Sequence, residues 1–395
     1  MTTAAERTFA LPTPALGADD LATVSAEVAT TAAAYDRSGA VPIEGLRVAH
    51  AAGLLTATVG TSWGGPGLGP RDAARIVTAL GQGDPSVALI AANTLMAHAA
   101  QAAHPHWPAE LYADLLARSV VGPAPVNAIR AEPELGAPAR GGLPTTTATR
   151  TPDGWSLSGH KAYATGGTSL AVHLVWTVAD EPGRTGEPRV GHVIVPADSP
   201  GIAWIETWDH LGLRASNTHD VVYDDVRLPA EAFVEIPRGA DGVYRDPAAT
   251  TGPTGFAHQA LYLGVAKAAR AAFVDFARTR VPAALGRPIA QTERIQAVAG
   301  EIDLQITVAE TLLHGALLRL EAGDDGVLAE LSNIKVAIGR AVIGAVQTAV
   351  GALGNPALSR HHPLERHLRD VLCVRVHPPQ EDTVLLASGR RVLAA

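Results

Sequence analysis

The residues best suited to chemistry lie near the C-terminus, in RDVLCVRVHPPQEDTVLLASGR (369–390), where His377 stands directly before a double proline. An imidazole with an unperturbed pKa of about 6.5 can donate a hydrogen bond or a proton near neutral pH. Glu381 and Asp382 follow, but behind His-Pro-Pro they fall in the first turn of a last helix, where the helix dipole favours acidic side chains. Pro379 is expected at the first position of that helix, with the unpaired N–H groups behind it. His98 in NTLMAHAAQ and His258 in FAHQALY sit on apolar helical faces, where a lone histidine is commonly a satisfied core residue. His361, His362 and His367 crowd together without HExxH or paired-cysteine spacing, so no metal is expected and a solvated helix start is the reading. Cys373, the single cysteine, lies in an apolar run and reads as inert packing. GGPGLGP, from Gly64, matches neither GxGxxG nor GxxxxGK[ST] and follows no strand, so a helix-to-helix loop is expected rather than a phosphate cradle.

These residues belong to a chain of 395 residues, long enough for roughly two or three domains, with 47% hydrophobic and 18% charged residues. The formal net charge of -8 and the scattered Lys and Arg lack the basic footprint of phosphate-backbone binding, so nucleic acid is not an expected partner. The N-terminus has no basic-then-apolar signal pattern, and one cysteine suits a reducing compartment, so a cytoplasmic location is expected. The apolar run Gly326 to Gly354 contains Glu330, Lys335 and Arg340 and reads as a core helix, not a membrane span.

Three regions must position the candidates. Residues 1–119 carry helical periodicity broken at WGGPGLGPRD and HPHWP. Residues 120–234 switch to short β-rich runs such as WSLSGHKAYAT, AVHLVWTVA and HDVVYDDVRLP. After a Gly/Pro/Asp-rich connector, residues 250–395 return to long amphipathic helices, about Phe256–Arg280, Ile289–Gly323 and Gly326–Gly354, then a short final one. In the third, Leu331, Ile334, Ile338, Val342, Val346 and Val350 form one stripe. The expected class is α+β, with a helical N-terminal domain, a barrel-like β domain and a C-terminal four-helix bundle.

GTSWGGPGLGPRDAARIVTALGQGDPSVAL, GWSLSGHKAYATGG and LGLRASNTHDVVYDDVRLPAEAF, in that order, resemble the signature segments of the acyl-CoA dehydrogenase fold superfamily along nearly the whole chain. The resemblance implies a flavin held between the β domain and the bundle, usually in a homotetramer, with the cofactor carrying the hard chemistry. It implies that Thr165 meets the flavin N5 edge, that Tyr163 flanks the ring, and that Ser216 lies near ring and substrate. Asn127 and Arg369 complete the expected cofactor contacts.

The chain departs from the dehydrogenase pattern where that chemistry needs a base. Aligning RDV at Arg369 with the family's RDA puts Pro378 at the position of the usual glutamate, and the alternative position on the first bundle helix falls on Thr254. Neither residue can take an α-proton from a thioester. The arginine expected to reach an FAD pyrophosphate corresponds to Pro282, and the Q-x-x-G-G-x-G segment survives as Gln347, Gly351 and Gly354. AEPELGAP (131–138) replaces the segment that covers the flavin, so FMN is favoured and FAD remains possible. These departures resemble the flavin-dependent monooxygenase branch, of dibenzothiophene and dimethylsulfone monooxygenase and sulfur-acquisition type. That resemblance implies reduced flavin from a separate NAD(P)H flavin reductase, O2 as co-substrate and a small molecule oxidised at S, N or an activated carbon. It implies His377 as the residue controlling a proton at activated oxygen, with His98 a second catalytic candidate and His258 on the substrate side. The alternative is an acyl-CoA dehydrogenase or oxidase with a relocated base, Glu381 or Asp382 being the carboxylates at hand.

Overall fold

The computed structural model describes residues 7–134, 143–236, 238–239, 244 and 256–394. Five helices come first: α1 (Ala18–Ser38), α2 (Ile43–Ala51), α3 (Pro70–Gly83), α4 (Pro85–Ala103) and α5 (Ala109–Val121). Their ends follow local chemistry. α1 stops where Gly39 turns left-handed (φ 71°) and gives its N–H to the Tyr35 carbonyl. α4 starts on Asp84, whose carboxylate accepts the Ser86 N–H, with Pro85 at the first helical position. The glycine-rich loop before α3 spends its N–H groups internally: Gly64, Gly65, Gly67 and Leu68 donate to the carbonyls of Thr61, Gly60, Val59 and Ala57. No row of amides is left over for a phosphate, in keeping with a helix-to-helix loop.

Eight strands form one mixed sheet: β1 (Val126–Ile129), β2 (Thr147–Thr151), β3 (Gly154–Ala164), β4 (Val172–Asp180), β5 (Val190–Pro196), β6 (Ile202–Ile205), β7 (His219–Pro229) and β8 (Phe233–Glu235). Their order is β6-β7-β3-β2-β4-β5-β8, with β1 also on β4; the β1–β4 and β2–β4 pairs are parallel and the rest antiparallel. β4 is buried at nearly every position, as a strand covered on both faces requires.

The helices then return as α6 (Phe256–Thr279), α7 (Glu293–Glu321), α8 (Leu331–Leu353), α9 (Asn355–Leu358), α10 (Pro363–Leu372) and α11 (Glu381–Leu393). The stripe expected on α8 is buried from Ile338 through Val350, while Leu331 and Ile334 are partly covered. Because Glu330 precedes α8, only Lys335 and Arg340 interrupt it, and it is the one helix among the described residues long and apolar enough to cross a membrane. A core helix meets the same criterion, and α8 packs against α6, α7 and α10, as expected of a core helix.

A correction concerns the last helix. It begins at Glu381, with Gln380 as its N-cap and the Gln380 carbonyl taking the Val384 N–H, so Pro379 lies in the preceding turn. The Pro379 carbonyl accepts instead from the Lys335 ammonium at 3.1 Å.

One core runs unbroken through both helical regions, joining Leu46, Leu80, Val87, Leu261, Leu313 and Val342. A second fills the sheet around Trp155, Leu157, Val175 and Tyr223, and a third, around Trp107, Tyr112, Val126 and Leu174, joins sheet to N-terminal helices. α3 crosses α6 at close range. A Cβ on Gly81 would stand 2.4 Å from the Leu261 carbonyl oxygen, and one on Gly264 2.3 Å from that of Thr78. The two helices touch backbone to backbone, which fixes α6 and the side chains it carries.

Candidate active site

Those side chains are His258 and Tyr262, one helical turn apart and therefore on one face of α6. That face meets His377. The His258 and His377 rings stack in parallel, centroids 4.4 Å apart and planes 13° from parallel, and the Tyr262 hydroxyl lies 2.7 Å from His377 Nε2. From the other side the Lys335 ammonium on α8 donates to the His377 carbonyl at 2.5 Å as well as to Pro379. The sequence pairs none of these residues: 115 positions separate Tyr262 from His377.

His377 borders a cleft shared with Lys335, Val336, Ile343, Val374 and Glu381. Burial, then the neighbouring His258 and the Lys335 charge, push the His377 ring well below the ordinary imidazole range. Burial and Lys335 bring His258 down to about 4, and burial brings Lys335 itself down to about 8. The expectation of an imidazole titrating near neutrality is thus corrected: desolvation and a fixed cation disfavour the charged ring. At pH 7 the site holds two neutral imidazoles, able to hydrogen-bond but not to act as imidazolium acids.

A second group forms where β3 ends. Tyr163 has a left-handed backbone (φ 60°) and is 64% exposed, an unusual state for an aromatic residue closing a strand. Two residues on, buried Thr165 accepts a hydrogen bond from the Thr218 hydroxyl at 3.1 Å, and Thr218 pairs with Ser216 at 2.7 Å. With Thr218 as donor to Thr165, the Ser216 proton goes to Thr218 and the Thr165 proton is free for an outside acceptor. Asn127 on β1 donates to the Thr165 carbonyl at 3.1 Å, and Gly166 donates to that of Ser216 at 2.9 Å. Gly167 (φ 47°) makes the approach possible, since a Cβ there would stand 1.9 Å from the Asn217 side chain. Thr165, Ser216 and Asn127 are therefore brought together, with Tyr163 at their rim. A row of hydroxyls beside an exposed aromatic face suits a flat heteroaromatic ring with polar edge atoms, and so fits a flavin.

The end of α10 supports this second group. Asp370 accepts the Leu213 N–H at 2.7 Å, and a Cβ on Gly212 would stand 2.4 Å from the Arg369 carbonyl oxygen. This clamp holds the left-handed turn at Leu213 that leads to Ser216. Burial raises Asp370 to about 7 despite the Arg366 charge. Neither Asp370 nor Tyr262 was among the sequence candidates. RDV pointed to the region, but nothing in it distinguishes an aspartate that holds a loop.

Arg369 does not join the hydroxyl group. It pairs with Asp36 on α1 and Glu365 on its own helix, both at 2.6 Å, and donates to the Leu211 carbonyl, tying α10 to α1 and to the loop. His98 also lies elsewhere. It is buried with Nδ1 2.9 Å from the Tyr112 hydroxyl, in the aromatic packing between α4 and α5, and burial lowers it to about 4. Glu381 is in an ion pair with Arg340 at 2.6 Å, and Asp382 takes the Thr383 N–H. Thr254 and residues 135–138 of AEPELGAP lie outside the described residues. Among the histidine cluster, His361 is exposed and His362 accepts the Leu364 N–H as the α10 cap, but His367 is buried rather than solvated. Among the described residues no group of three His, Cys, Asp or Glu is arranged to hold a metal. Cys373 is buried, and burial raises its thiol to about 12, as inert packing requires.

Comparison with known proteins identifies the fold and family. Models of the acyl-CoA dehydrogenase N-terminal, middle and C-terminal domains match residues 21–105, 128–226 and 256–379. A putative acyl-CoA dehydrogenase, YdbM of Bacillus subtilis, is 30% identical over 370 residues, 92% of each chain. L-evernosamine nitrososynthase of a Micromonospora species is 29% identical over 374 residues, 89% of this chain and 84% of that one. The crystal structure of TdsC from Paenibacillus sp. A11-2 with FMN and indole superposes with a TM-score of 0.82 at 21% identity, covering 95% of this chain and 96% of that chain. Three domain matches in the order of the observed helices, sheet and bundle, with a full-length relative, make the chain a member of the acyl-CoA dehydrogenase family of flavin-dependent oxidoreductases.

Proposed function

We propose that the protein is a monooxygenase that uses reduced flavin and O2 to oxidise a small molecule at sulfur, nitrogen or an activated carbon. One observation carries the reading: the His377 cleft offers neutral hydrogen-bonding rings and no unencumbered carboxylate among the described residues. Glu381 is held by Arg340, and Asp370 is buried with Oδ1 on the Leu213 N–H. Dehydrogenation of an acyl thioester needs a carboxylate or its equivalent to take the α-proton. Oxygen chemistry needs a hydrogen-bond donor toward developing negative charge, which a neutral imidazole N–H supplies.

Tyr163 would flank the flavin ring, with Thr165, Ser216 and, through the Thr165 carbonyl, Asn127 around its polar edge. Bound reduced flavin supplies the electron pair that activates O2. His377 then hydrogen-bonds charge developing on oxygen, and apolar Val336, Ile343 and Val374 limit water at the cleft. His258 stacks behind His377 rather than facing the substrate directly. FMN is favoured over FAD because Pro282 stands where a pyrophosphate-binding arginine is expected, and TdsC, with the same fold, was solved with FMN. A separate NAD(P)H flavin reductase would deliver the reduced cofactor. The exposed apolar residues Leu304, Val308 and Leu318 along α7 support a homo-oligomer, a tetramer by family resemblance.

The test is anaerobic mixing of protein loaded with oxidised FMN, and separately FAD, with butyryl-CoA while the flavin absorbance is followed. Unchanged absorbance is expected. Bleaching would move the function to acyl-CoA dehydrogenation, the activity that the name of the YdbM relative favours. Independently, Thr165→Val is expected to weaken FMN binding about tenfold, the value of one hydrogen bond, as read by fluorescence titration.

A further inference from the structure

The His377 ring is restrained in more directions than a packed turn residue needs. Its plane is set by the parallel His258 ring 4.4 Å away, its backbone by Lys335 at 2.5 Å, and Nε2 by the Tyr262 hydroxyl at 2.7 Å. The Tyr262 contact also carries information about protons. Tyr262 is fully buried, and among the described residues its hydroxyl has no hydrogen-bond partner except His377. If the ring donated from Nε2, the tyrosine proton would be buried with no acceptor, at the full cost of an unsatisfied donor. If the hydroxyl donates, that proton is satisfied and only lone pairs go unused. The second arrangement is favoured, and it requires Nε2 to be the unprotonated nitrogen. The other nitrogen, Nδ1, has no partner among the described residues and is not closed off, in a residue that lines the cleft.

We propose that Tyr262 is a positioning residue that fixes His377 as the Nδ1–H tautomer, leaving that N–H free to face the cleft. The inference deepens the monooxygenase reading and rests on it for its functional consequence, but the tautomer belongs to the protein before any cofactor binds. It assigns to the site one directed donor: Nδ1–H toward the cleft, Nε2 toward the buried hydroxyl. In the opposite tautomer Nδ1 would present a lone pair, and negative charge on oxygen would be repelled rather than stabilised. Loss of the Tyr262 hydroxyl frees His377 to populate both tautomers, so the donor is present only part of the time.

The experiment is nitrogen-15 NMR of the flavin-free protein labelled in histidine, with His377→Asn to identify the His377 signals among the 15 histidines. The expected wild-type result is an unprotonated, pyridine-type Nε2 and a protonated Nδ1 at pH 7. In Tyr262→Phe, which keeps the ring and its packing, the two resonances are expected to move toward each other as the tautomers mix. The same variant loaded with reduced FMN is expected to release hydrogen peroxide about tenfold faster on exposure to O2. A protonated Nε2 in the wild type, or an unchanged tautomer in Tyr262→Phe, would overturn the inference. Unchanged peroxide release in His377→Ala would instead remove the monooxygenase role of the ring, with the wild-type tautomer still deciding the assignment to Tyr262.

Discussion

His377→Ala is expected to raise hydrogen peroxide release from the FMN-loaded, reduced protein on exposure to O2 by about 100-fold, the usual effect of deleting one donor aimed at developing negative charge. The assay needs no knowledge of the substrate. Release at the wild-type rate would sink the assigned role. The effect is expected to be flat between about pH 6 and pH 8, because the ring is held well below its ordinary range. The groups facing it support this: His258 is itself at about 4, Tyr262 is raised well above 10 by burial, and Lys335 adds a positive charge. Arg375 and Glu381 line the same cleft, the latter neutralised by Arg340. A histidine whose folded pKa lies below its unfolded value binds its proton more readily when unfolded. The pair therefore lowers stability as pH falls below about 6.5, and it does not contribute a switch near neutrality.

The largest stability effect is expected at Glu132→Gln, a loss of about 3–5 kcal/mol read from the urea midpoint. Glu132 is 2% exposed and pairs at 2.7 Å with Lys161 of β3, which is 0% exposed. Glu132 also takes the Thr145 and Thr146 N–H groups, just ahead of β2. Burial alone would raise the carboxyl; Lys161 and these donors outweigh it and hold Glu132 down to about 2. Its stabilisation is full above the ordinary value of 4.5 and is lost as pH falls from there toward about 2. In Glu132→Gln the Lys161 ammonium stays buried without a counter-charge. Adding Lys161→Met, which removes that charge, is expected to recover part of the loss, because the single glutamine oxygen can replace only one of the two carboxylate oxygens that take the Thr145 and Thr146 N–H groups. A double variant as unstable as the single one would place the cost in the lost threonine hydrogen bonds and packing rather than in charge.

Much of this protein could be read in order along the chain. Helical periodicity, the change to β-rich runs after residue 120 and the return to long amphipathic helices reflect local burial patterns, so the α+β class and the three-part organisation were legible. The departures from the dehydrogenase pattern at Pro378 and Pro282 were equally visible, since an absent side chain needs no coordinates. Thr165, Ser216 and Asn127 were named from resemblance, and the fold brings them together because β1, β3 and the turn before β7 converge. Arg369 and His98 show the limit of that approach. Residue type and register suggested a ligand contact, while the nearest charges and aromatic rings on other helices claimed both side chains.

What only the tertiary structure decided is the state of His377. The sequence determines that an imidazole precedes two prolines. Its neutrality, its stacking on His258 and its bond to Tyr262 depend on α6 lying close against α3 at Gly81 and Gly264, and on Lys335 arriving from α8. Proton affinity is set by the dielectric and the charges within a few ångströms of the ring. Those neighbours are 42 to more than 100 positions away in the chain, so they exist only once it has folded.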